Sequence, residues 1–146
     1  MSSSDNFLKS RNSDLGVWSS FSHQLSQQGY YPIIFRDIDR ALDAPTDELK
    51  EFPEVPEAVF NLGLRIGFYE ECDICAFVAN GPAQVCFYNK NVRFIYNVTG
   101  DWLERKPTPF GRLGIEFGET PPFANHFQRW IWQEQDAKTL LSHLKR

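Results

Sequence analysis

The sequence predicts an α/β domain whose sheet is mainly parallel, with three or four strands covered by helices. Two observations carry that prediction. Short, nearly continuous apolar runs, such as Tyr31–Arg36 and Ile74–Ala79, are the mark of strands buried on both faces. Between them lie segments of helical periodicity, and parallel strands need the crossovers that such helices supply. At 146 residues the chain has material for one hydrophobic core but not two. The expected organisation is therefore a flexible segment over residues 1–12 and a single domain over 13–146.

The elements follow in order. A helix starts near Ser13, with Ser13 or Asn12 able to cap it and Leu15, Trp18, Phe21, Ser22 and Leu25 at helical spacing; Gly29 supplies the stop. Tyr31–Arg36 is the first strand. Residues 37–56 are acidic and punctuated by Pro45, Pro53 and Pro56, which predicts a surface loop with one helical turn over Thr46–Lys50. A second helix runs from Glu57 to Glu71, with its apolar stripe through Ala58, Val59, Leu62, Ile66 and Tyr69. The strand Ile74–Ala79 is broken sharply by Asn80-Gly81-Pro82, and Pro82 suits the first turn of a short helix reaching Tyr88. Asn91–Asn97 is the third strand, expected beside the first two. Residues 98–127 are rich in Pro and Gly and read as irregular. Arg129–Gln133 makes a fourth short strand, and a closing helix over Asp136–Leu144 lines up Ala137, Leu140, Leu141 and Leu144.

Composition excludes several classes of protein. Apolar residues make up 42% and charged residues 23%, a balance of folded rather than disordered chains. The net charge is −4 and no basic stripe is readable, which argues against nucleic acid as a partner. No apolar stretch approaches the roughly 18 residues that span a bilayer. The start, Met1 to Asn6, lacks a secretory pattern, and three cysteines cannot all pair with one another. A reducing, cytoplasmic setting is expected. Thirteen Phe, five Tyr and four Trp call for large core fillers, a stacking surface or an interface.

The strongest local signal for chemistry is Ala79-Asn80-Gly81-Pro82-Ala83. In open α/β sheets ligands bind outside the carboxyl ends of the strands. Gly81 permits a turn that other residues resist, and a helix starting at Pro82 would aim free N–H groups at a phosphate or carboxylate. Arg36 and Asp37 end the preceding strand, so they are expected at the same edge, where a guanidinium fork can pair with phosphate. Each feature also has a plain structural reading: a tight strand-to-helix turn, and a surface ion pair. Arg65 reads as structural. Cys72 and Cys75 have the spacing of metal or redox pairs. They precede a strand instead of opening a helix, and no second pair accompanies them, so core packing is expected, with no metal and no disulfide between the two. No cofactor is indicated, and no nucleophile–His–carboxylate set can be placed. Asn97-Val98-Thr99 matches a glycosylation acceptor by chance.

These residues fall in a familiar order. Arg11-Asn12-Ser13-Asp14 with Trp18, then Gly29-Tyr30 before a strand ending Arg36-Asp37, then Arg65 and Tyr69 upstream of Asn80-Gly81-Pro82, resembles the C-terminal half of bacterial GT-B-type glycosyltransferases. Pro121-Pro122-Phe123-Ala124-Asn125 and Gln128 resemble a segment before such enzymes' closing helix. The resemblance spans about residues 11 to 144. It implies a Rossmann-like three-layer fold and a nucleotide sugar as partner, held by Asn80, Gly81, Pro82, Ala83, Arg36, Asp37 and Arg11. It also implies a fragment or non-catalytic remnant, because the acceptor-side domain that completes such transferases has no room here, or else a chain that works with a partner domain or chain. The alternative is a small interaction domain of the immunity type, with an aromatic surface as its interface and no small-molecule ligand.

Overall fold

A computed structural model describes residues 12–104, 108 and 110–144. It contains a three-stranded, all-parallel sheet with helices on both faces, the layered α/β arrangement the sequence predicts. In chain order the elements are α1 (Leu15–Gln27), α2 (Pro56–Phe60), α3 (Leu62–Glu71), β1 (Cys75–Val78), β2 (Phe94–Val98), α4 (Asp101–Glu104), β3 (Gln128–Trp132) and α5 (Ala137–Ser142). Three-residue and five-residue 3-10 turns lie at Ile38–Arg40, Pro82–Cys86 and Gly111–Leu113. The sheet order is β1-β2-β3, with Cys75 opposite Phe94 and Phe94 opposite Gln128.

Alternation along the strands divides the core in two. Phe77, Phe94, Tyr96, Val98, Trp130 and Trp132 face one side, where they meet Tyr69 of α3, Ala83, Cys86 and Phe87 after β1, and Trp102 and Phe110 from the irregular segment. Ala76, Ile95 and Ile131 face the other, against Phe21 and Leu25 of α1 and Ala137 and Leu140 of α5. The first face absorbs much of the aromatic excess. Trp130 lies 4.5 Å from Tyr96, 5.0 Å from Phe87 and 4.8 Å from Phe110, ring centre to ring centre. Edge-on and tilted contacts of this kind add about 0.5–1.5 kcal/mol each to the burial itself.

Polar side chains fix the ends of the layers. Asp14 caps α1 by accepting from Val17 N–H at 3.1 Å, one residue later than the caps expected, and Gly29 ends it with φ +88°. Gln135 Oε1 accepts from Asp14 N–H at 2.9 Å and from Trp18 Nε1 at 2.7 Å, while its amide donates to Asn12 O at 2.9 Å. Buried Gln128 donates to Asn89 O and Val92 O and accepts from Asn125 N–H. It thereby ties together the two chain segments that lead into β2 and β3.

Several expectations need correction. Tyr31–Arg36 is not a strand of the sheet. Only Ile34 pairs, in an isolated parallel bridge with Glu54, and Phe35 packs against the rings of Phe68 and Tyr69. The run is apolar because it lies on α3, not because strands flank it. The helix expected over 57–71 breaks at Asn61, whose extended backbone ends α2 and whose carboxamide caps α3 through Leu64 N–H. That break exposes Leu62 and buries Arg65. The helix after Pro82 is a 3-10 turn ending at Cys86, and β3 starts one residue earlier than expected. The single turn over 46–50 is present, with Lys50 N–H bonded to Thr46 O. No helix among the described residues is long and apolar enough to cross a membrane.

Candidate functional site

The turn after β1 is closed by its own groups. Ala79 N–H bonds to Asn97 O, which continues the pairing of β1 with β2. Asn80 Oδ1 then accepts from Ala83 N–H at 3.1 Å, Pro82 has no N–H to offer, and Gln84 N–H bonds to Gly81 O at 3.0 Å. The first three positions after Gly81 therefore present no unbonded donor to an anion. Gly81 itself has φ −59° and ψ −50°, and a Cβ placed there would meet nothing within 4 Å. The expectation that glycine is needed for an unusual turn is thus corrected: Asn80 as a cap and Pro82 as the first residue build this turn.

Arg36 and Asp37 make their polar contacts elsewhere. Because the 31–36 segment is not in the sheet, Arg36 turns to Glu54, 2.8 Å away, and to the carbonyls of Asp43 and Ala44. Asp37 caps the following 3-10 turn through Ile38 N–H. Arg11 lies outside the described residues. Asn97 is 1% exposed on the central strand, and its amide donates to Gln133 O at 2.9 Å, so the acceptor motif it belongs to is sealed in the folded chain. Arg65 is buried beside Tyr69, whose hydroxyl accepts from its Nε at 2.6 Å, and its guanidinium lies over the rings of Phe35 and Tyr69. Burial outweighs that arginine and holds the Tyr69 hydroxyl above the usual phenol range. Among the described residues no group of three or more His, Cys, Asp or Glu is placed to hold a metal.

Two other regions have features that a partner or ligand can use. At the amino edge of the sheet, Tyr30, Asp73, Arg93, Phe127, Arg129 and His143 line a cleft of about 50 Å³. Arg93 lies over the Phe127 ring at 4.6 Å, and Arg129 donates to His143 O at 2.8 Å. Partial burial, and then the charge of Arg129, hold the His143 imidazole below its usual pKa. The cleft has room for water or a small ion, whereas sites for drug-sized ligands run to about 300 Å³ and more.

The second region runs from Asp37 to Leu64. Ala41 and Val59 line one shallow crevice together with Ile34, Val55 and Pro56, which seats the Ile38–Leu42 turn against α2. Around that seat, Ile38, Leu42, Phe60, Leu62 and Leu64 are exposed, Leu42 by 81%. Seven exposed carboxylates lie between Asp37 and Glu57, against two exposed cations, Arg40 and Lys50. Sequence reading saw the acidity of this loop but took it for a solvated surface. The missed signal was Ile38 and Leu42, apolar residues one helical turn apart in an otherwise charged stretch.

No protein-family model, curated protein or solved structure matches the chain.

Proposed function

We propose that this chain is a protein-interaction domain, binding rather than turning over its partner, and that it docks a basic protein surface through the acidic, apolar region at 37–64. The observation that carries this reading is the set of large apolar side chains left in solvent in a segment whose exposed carboxylates outnumber its exposed cations seven to two. Apolar groups exposed together are usually interaction sites. An interface commonly joins an apolar centre to a charged rim, where the centre supplies affinity and the rim steers approach and selects the partner. The surplus of negative charge favours a positively charged partner, and the parallel-sheet scaffold holds the region from behind through Phe35, Phe68 and Tyr69.

The nucleotide-sugar reading rests on the resemblance. It has the parallel sheet in its favour, but the turn after β1 keeps its donors for itself. The two readings separate in one experiment. The intact chain and a Leu42→Glu/Phe60→Glu variant are used to capture partners, the captured protein is identified and purified, and its affinity is measured at several salt concentrations. The expected result is a basic partner bound at least ten-fold more weakly by the variant, as for loss of central contact residues, with an association rate that falls as salt rises. Equal affinity of both forms for every captured protein, or stabilisation of the chain by a UDP-, GDP- or CDP-sugar in a thermal melt, would overturn the proposal.

A further inference from the structure

The arginines of the amino-edge cleft are placed by the strand register. Ile95 of β2 pairs with Arg129 of β3, and side chains along a strand alternate between its faces. Arg93, two residues before Ile95, and Arg129 therefore emerge on the face that carries Ile95 and Ile131, at the end where both strands begin. The backbone there is pinned, with Cys75 N–H bonded to Arg93 O at 2.9 Å and Phe94 N–H to Phe127 O at 3.0 Å. The Phe127 ring covers the Arg93 guanidinium, 4.6 Å from ring centre to guanidinium carbon. A guanidinium carries its N–H groups in its own plane, so an aromatic ring over its face leaves them available. Arg93 makes no hydrogen bond or ion pair among the described residues.

We propose that this cleft is a binding site for a carboxylate, taken between Arg93 and Arg129 with its carbon substituent against Phe127 and Leu144. The site shares no residue with the 37–64 surface, so either reading can fail without the other. Carboxylate oxygens match the planar fork of a guanidinium, which binds them through two parallel hydrogen bonds. Arg129 already donates to His143 O at 2.8 Å, but that bond uses one of the five N–H donors an arginine carries.

Charge and size select a carboxylate over other anions. The lining holds two guanidinium groups against one carboxylate, Asp73, and the depressed His143 imidazole is mostly neutral at pH 7. One surplus positive charge complements a single negative charge, and Asp73 repels the second charge of a phosphate dianion. The ends of α1 and α5 also reach the cleft, through Tyr30 and His143. Helix carbonyl ends disfavour anions, but here Leu25 O and Ser26 O are bonded to Tyr30 N–H and Gly29 N–H, and His143 O is bonded to Arg129. The volume of about 50 Å³ admits a carboxylate and its first carbons and has no room for a nucleoside or a sugar.

The test titrates the full chain at pH 7 and constant ionic strength, followed by NMR of the backbone amides and histidine rings. The probes are propionate and acetyl-trialanine, the peptide with its end either free or amidated. Saturable shifts are expected at Arg93 and His143, with a dissociation constant on the order of millimolar for so small a ligand. Across a pH series the His143 midpoint should rise when the site fills, because an anion beside it favours the charged ring. Arg93→Gln should bind at least about five-fold more weakly. Asp73→Asn should bind about two- to five-fold more tightly, a gain that no loss of fold imitates. A free-ended peptide bound more tightly than propionate assigns the carboxylate to a chain end, and any other order assigns it to a small acid; both support the site. No saturable shift with either probe, equal affinity for free and amidated peptide, tighter binding of inorganic phosphate, or unchanged affinity in Arg93→Gln would each overturn the proposal.

Discussion

Replacing Gln128 by leucine tests whether one buried amide holds the entries to β2 and β3. The side chain is 1% exposed and makes three hydrogen bonds. Asn89 O keeps a second partner in Val92 N–H at 3.3 Å. Val92 O and Asn125 N–H have Gln128 as their hydrogen-bond partner among the described residues. A backbone group left unpaired in a buried place costs about 1–3 kcal/mol, so two cost about 2–6 kcal/mol. Leucine recovers some of this by burying more apolar surface, and a net loss of about 3 kcal/mol is expected. For a domain near this size 1 kcal/mol moves Tm by about 2–4 °C, so the melting temperature should fall by about 6–12 °C in calorimetry. A fall of less than 2 °C would refute the reasoning. Gln128→Glu adds a check by pH. Its carboxylate would face two carbonyl oxygens while buried, and both raise its pKa in the folded chain. The unfolded chain then loses its proton first, so this variant should be most stable below about pH 4.3 and lose stability as pH rises from there.

The remaining predictions concern the backbone and one imidazole. Gly81→Ala should leave the fold intact and raise stability by about 0.4–1 kcal/mol in urea unfolding, because the conformation is ordinary and the space is open. Gly29→Ala, at φ +88°, should lower stability by about 1 kcal/mol in the same assay. The His143 imidazole should titrate below 6.5 when followed by NMR. Since its folded pKa is depressed, its contribution to stability is present above the unfolded value and lost as pH falls through the folded one. A titration midpoint at or above 6.5 would contradict the burial argument.

How much of this was legible in the sequence depended on whether neighbours in sequence are also neighbours in space. The runs at 74–79 and 91–97 were readable because each sits in a parallel sheet with apolar contacts on both faces. Tyr31–Arg36 has the same composition for a different reason, since its partner is a helix surface, and composition does not distinguish the two. Asn61 was a visible signal: an asparagine two residues before Gly63, able to cap a helix, inside a segment otherwise read as one helix. The geometry of the candidate turn was hidden at a similar point. Asn-Gly-Pro marks a turn in either case, and whether its N–H groups are free depends on the direction of one carboxamide. Arg36 was misplaced with its strand, and its partner Glu54 lies 18 positions along the chain. The exposure of Leu42 and Phe60 is likewise a tertiary fact.

The clasp made by Gln135 also sets an order of events during synthesis. Helix α1 is made first, yet its polar anchor is Gln135 and its apolar seat includes Ile131, Ala137 and Leu140. About 110 residues separate the end of α1 from the start of α5, a wait of roughly 5–20 s at ordinary rates of chain elongation. Through that interval Phe21 and Leu25 gain only part of their native seat, from Ala76 and Ile95 as β1 and β2 are made. The nascent chain therefore carries a partly uncovered amphipathic helix until α5 emerges, and a chaperone that shields such helices would find a substrate there.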